Sequence, residues 1–132
     1  MSNAIYDPGR EGFLDGSIDW DTDDVRTMLV RTAQAFSAAH RFVSDLTGAN
    51  IVARGGAGLA SKTVTGGTAS SAGQTHSAVA SGSTCNVVLY KYNASDAAAR
   101  LIAFFDTGSG LPVTTNGADI TVNPNASGWF KL

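Results

Sequence analysis

Two β-type runs, Cys85 to Tyr92 and Arg100 to Asp106, constrain this chain more than any other feature. The first reads C-N-V-V-L-Y-K-Y, with Val88 and Tyr90 on one face and Val87, Leu89 and Lys91 on the other. That period of two, carried by β-branched and aromatic side chains, belongs to an extended chain. The polar connection Asn93 to Ala98 is short enough for the two runs to pair as a hairpin with a longer loop. A lone hairpin is marginal in water. The rest of the chain must therefore supply further strands and a cover.

Val25 to Thr32 alternates in the same way and predicts a third strand, after a turn at Asp21 to Asp24 where Asp side chains bond local backbone N–H groups. Shorter strands are expected at Ser17 to Trp20, Lys62 to Thr65, Thr75 to Val79, Ala118 to Val122 and Gly128 to Leu132. Turns are expected at Ser81-Gly82-Ser83, Thr107 to Gly110, Asn116-Gly117 and Asn123-Pro124-Asn125. Ala35 to Leu46 is the best helix candidate: Phe36, Ala39, His40 and Val43 share one face, Ser37 is positioned to cap it, and Gly48 ends it. A weaker helix is expected at Arg10 to Leu14, broken early by Pro8-Gly9. The sum predicts a mainly β fold, an antiparallel β-sandwich or small barrel with one or two short helices, as one domain over residues 1–132. Residues 1–16 and the Gly/Ser-rich region 55–83 lack a self-sufficient apolar pattern. They are expected as a mobile segment and as a loop or arm that orders against a partner.

Composition narrows the function classes. Charged residues make up 15% of the 132, against about 25% in ordinary soluble domains. Gly, Ser, Thr and Asn supply the polarity instead, which suits turns and a surface partly covered by a partner. The nine basic residues are scattered and the net charge is −2, so no nucleic-acid footprint is present and no nucleic-acid partner is expected. No apolar run approaches the ~18 residues of a membrane span, and the N-terminal residues carry charge where a signal peptide is apolar. The single cysteine, Cys85, excludes an intrachain disulfide framework and fits synthesis in a reducing cytosol.

Candidate chemistry is thin. Asp19, Asp21, Asp23 and Asp24 resemble a calcium loop, but an EF-hand counted from Asp19 would need Gly where Asp24 stands and Glu where Val30 stands. A solvated turn is the better reading. His40, His76 and Cys85 are the only residues that could build a Cys/His nucleophilic pair or part of a zinc site, and no local signature links them. His40 is expected on the apolar helix face, His76 exposed, and Cys85 buried at the start of its strand. The glycines of Arg54 to Gly58 match neither phosphate-loop nor dinucleotide spacing. The expectation is a protein without catalytic residues, cofactor or metal, and not an enzyme.

The run Val87-Val88-Leu89-Tyr90-Lys91, the stretch Ala99 to Thr107, and Gly110-Leu111-Pro112-Val113-Thr114 followed by Asn116 to Val122 resemble a family of small structural proteins of tailed-bacteriophage virions. Gly16 to Trp20, Val25 to Thr32 and His40 to Leu46 carry the likeness into the N-terminal half; Thr68 to Ser83 and Asn123 to Ser127 depart from it. The resemblance implies a β-rich virion protein without an activity. It is expected as a capsid decoration or cement protein on the head surface, with the major capsid protein as partner and as a homotrimer. The alternative is a tail or baseplate adaptor or fibre-attachment protein. A small hydrolase or carbohydrate-binding domain is a third reading, and requires a pocket in which His40, His76 or Cys85 meet carboxylates.

Overall fold

The computed structural model describes residues 3–106, 111–124 and 128–132. The turn expected at Thr107 to Gly110 and the end of the one at Asn123 to Asn125 lie outside these residues. In chain order the elements are β1 (Ala4–Ile5), α1 (Asp7–Asp15), β2 (Val25–Arg31), β3 (Ile51–Arg54), β4 (Thr63–Thr65), β5 (Thr68–Ser70), β6 (Gln74–His76), β7 (Thr84–Lys91), β8 (Arg100–Phe105), β9 (Val113–Thr114), β10 (Ile120–Val122) and β11 (Phe130–Lys131). Two 3-10 turns, Val43–Asp45 and Gly48–Asn50, precede β3.

The expected hairpin is the centre of the fold. β7 pairs antiparallel with β8 on one side and with β2 on the other, in a sheet of order β1-β8-β7-β2-β3, with β9 added at the start of β7. A bulge opposite Leu89 and Tyr90 shifts the β7–β8 register. Both faces of this sheet are buried, which explains why its strands are apolar at nearly every position. Val25, Leu29, Val87 and Leu89 pack on one face; Met28, Val30, Val88 and Tyr90 pack on the other.

The region 55–83 folds back on its own chain and covers the first face, together with the C-terminal strands. β6 pairs with β10, and β4, β5 and β11 form a second small sheet. Leu59, Ala69, Val79, Val122 and Trp129 from this layer enter the same core as Val25 and Leu29. Gly66 and Gly67, with φ of 58° and 81°, make the tight β4–β5 turn, where both positions need left-handed backbone. The result is a mainly β, sandwich-like fold of antiparallel sheets with one α-helix and no closed barrel among the described residues.

Three local expectations are corrected. Ala35 to Leu46 forms no α-helix: it crosses the second face of the sheet as irregular chain ending in the Val43–Asp45 turn. Its backbone bonds are taken by distant strands, with Val43 N donating to Ala99 O at 2.9 Å and Leu101 N to Arg41 O at 2.9 Å. Phe36, Val43 and Leu46 still turn inward, against Tyr6, Val88 and Phe104. Ser17 to Trp20 is irregular chain that buries Ile18 and Trp20. The N-terminal helix is longer than expected, because Pro8 occupies its first turn, where no N–H is needed, and Gly16 ends it at φ 83°.

Candidate functional site

The residues with chemical potential do not converge. His76 is buried at 3% exposure, where exposure was expected, because β6 lays it on the first face of the sheet beside Thr27. The Thr27 hydroxyl donates to Gln74 Oε1 at 2.6 Å, and the Thr27 backbone N–H donates to the same oxygen at 2.7 Å. With its one proton committed, that hydroxyl can only accept from His76 Nε2, 2.9 Å away. His76 therefore carries a proton on Nε2, and its Nδ1 has no hydrogen-bond partner among the described residues. Burial pushes its pKa below the ordinary histidine value, with the Arg54 carbonyl opposing.

Cys85 lies on the same face, opposite Arg31. Thr27 and Arg31 are four residues apart on β2, roughly 13 Å along the strand at about 3.3 Å per residue, so Cys85 and His76 stand at different positions along the sheet. Burial also pushes the Cys85 thiol up, away from the reactive thiolate. His40 is on the opposite side of the sheet, its ring 6.4 Å from that of Tyr6. The sheet thus stands between His40 and the other two.

The acidic run folds as the expected turn. Asp19 N–H donates to Asp23 Oδ2 at 2.7 Å, and Asp23 N–H returns a bond to Asp19 O at 2.9 Å. Asp24 pairs with Arg26 at 2.9 Å and Asp23 with Lys91 at 3.2 Å; Lys62 donates to the Asp23 carbonyl. Asp21 beside Asp19, together with Thr22, holds the Asp19 carboxyl below the ordinary carboxylate value, and Asp19 in turn lifts Asp21 above it. No group of three or more His, Cys, Asp or Glu side chains suited to a metal ion occurs among the described residues.

What the surface does present is apolar. α1 and β11 meet at the stacked rings of Phe13 and Phe130, 5.6 Å apart, and Trp20 meets Phe130 edge-on at 5.4 Å. A groove of about 430 Å³ opens on one side of this ridge, between Trp20, Val64 and Leu132. A second, of about 300 Å³, opens on the other side over Phe105 and Trp129. Val64 is 59% exposed, Leu132 55% and Leu14, beside Phe13, 88%. These are three of the four large apolar side chains left in solvent among the described residues; the fourth, Tyr92, lies under the Arg26 guanidinium. The sequence does not join Phe13 to Phe130, because only the fold brings α1 to β11.

The chain matches no family model, and no curated protein matches it significantly.

Proposed function

We propose that this is a structural protein of a tailed-phage virion, a capsid decoration or cement protein that binds by surface adhesion. The observation that carries the reading is the ridge of Phe13 and Phe130 with its two grooves, an exposed apolar surface of the kind that marks protein–protein contact. The ridge is built by α1 and β11, and the β4–β5 hairpin lines one of its grooves with Val64 and Ala69. The phage-like stretches supply the scaffold beneath: Val87 to Lys91 lies in β7, and Arg100 to Phe105 is β8. Many weak contacts of this sort become strong when a lattice presents them together.

The test is electron microscopy of the intact particle, with sedimentation of the purified chain against expanded heads. A decoration protein is present in copy numbers close to those of the capsid protein and pellets with heads. A chain found in few copies at the tail would assign it to the adaptor role instead. A chain absent from particles and indifferent to heads would end the reading.

A further inference from the structure

Arg10 and Lys131 line one groove and Asp19 the other, and none of these three charges holds an ion pair among the described residues. Of the nine basic side chains, Arg26, Arg41, Arg54 and Lys91 hold ion pairs. Arg31, Lys62 and Arg100 donate to backbone oxygens. Arg10 and Lys131 alone have no side-chain partner among the described residues, and both line the groove over Phe105 and Trp129. Across the Phe13–Phe130 ridge, Asp19 lines the other groove, with Asp21 against it. Asp19 also accepts from Thr22, and Lys62 acts on Asp21, but neither carboxylate holds an ion pair among the described residues, and a cation brought between them would complete one.

We propose that a second copy of this chain occupies this face, stacked ridge to ridge about a two-fold axis parallel to β11. Such an axis reverses the face left to right. The basic groove of one copy then lies over the acidic groove of its partner, and the reciprocal contact forms at the same time. Arg10 and Lys131 of each copy meet Asp19 and Asp21 of the other, while Phe130, Leu132, Val64 and Leu14 leave water. The sign pattern is what selects a second copy as occupant: one surface carries both halves of its own complement. The resemblance implies a trimer, whereas this disposition of charge fits a pair. The inference rests on the adhesive character of the face and not on the head lattice, so it stands or falls separately from the virion reading.

The test is sedimentation equilibrium of the purified full chain over micromolar to near-millimolar concentrations. A dimer is expected, weakened by added salt. Arg10→Glu with Lys131→Glu is expected to weaken it on the order of a hundredfold, about 2.7 kcal/mol. Adding Asp19→Lys and Asp21→Lys to that variant is expected to restore at least tenfold of the loss. An equimolar mixture of the all-acidic variant (Arg10→Glu, Lys131→Glu) and the all-basic variant (Asp19→Lys, Asp21→Lys) should pair where neither does alone. Circular dichroism and thermal midpoints check that each variant is folded. A monomer at every concentration, a trimer, or an association indifferent to these reversals would overturn the proposal. So would protection of this face only on binding to heads, an outcome that would leave the virion reading intact.

Discussion

Thr27, Gln74 and His76 form a buried polar cluster that ties β6 of the covering layer to β2 of the central sheet. Because the Thr27 hydroxyl both donates to Gln74 and accepts from His76, its loss orphans the His76 Nε2–H and leaves Gln74 Oε1 with the Thr27 backbone N–H alone. Thr27→Val is expected to cost about 1–3 kcal/mol in a urea titration, more than the removal of an exposed hydroxyl. His76 carries a pH dependence whose sign follows from its environment. Burial depresses its pKa in the fold, so just below the ordinary value of 6.5 the unfolded chain binds more protons than the native one. Its contribution to stability is complete above that value and is lost as pH falls through it toward the depressed one. The urea midpoint should drop between neutral pH and about pH 5, and His76→Gln should remove part of that drop. An identical drop in the variant would place the effect in the carboxylates instead.

Among the elements, α1 depends on how closely it approaches β8. A Cβ built on Gly9 would lie 2.8 Å from Ile102 O and 3.0 Å from Leu101 O, so even alanine must lift the helix from the strand. Gly9→Ala should cost about 1–3 kcal/mol by overpacking, although alanine is intrinsically the better helix residue. A stabilised variant would show that the helix sits further out. The segment 35–46 makes the converse point. Its apolar spacing satisfies a helix, yet Ala39 and His40 offer that helix little to bury. Extended chain lets Phe36, Val43 and Leu46 reach the sheet while Asp45 accepts from the N–H groups of Arg41 and Phe42 at 2.8 and 2.9 Å. Those bonds hold the Asp45 carboxylate below its usual range.

At the scale of the molecule, the second layer is closed by Trp129. Its ring packs 5.6 Å from Phe105, and its indole N–H donates to Ser71 Oγ at 2.7 Å, joining the C-terminal strand to the 55–83 region and to the central sheet. Trp129→Ala removes both links and should cost about 3–5 kcal/mol, measured by thermal or chemical unfolding. A cost near zero would mean that the small sheets do not share one cooperative unit with the large one. Surface pairs such as Arg54 with Asp96 lie at the other extreme: at 2.5 and 2.9 Å the geometry is good, but both side chains are 42% exposed and water competes.

The strands with an internal signal were legible without a structure. β2, β7, β8 and β10 each alternate or concentrate β-branched and aromatic side chains, and that local pattern is enough to hold a chain extended. The turn at Asn116-Gly117 was legible for a similar reason, since the left-handed backbone that Gly117 adopts at φ 87° selects glycine whatever surrounds it. Partners were not legible. Gly55 to Ser83 showed only two thin strand runs, at Lys62 to Thr65 and Thr75 to Val79, and no sign of β5, because its few apolar residues become a core face only once the sheet exists to receive them. His76 is buried for the same reason, and the site-like surface owes its existence to α1 and β11 meeting across more than a hundred residues of chain. Secondary structure here follows from near neighbours, whereas the covering of the sheet, the burial of polar groups and the sorting of unpaired charge follow from long-range packing that only the tertiary structure decides.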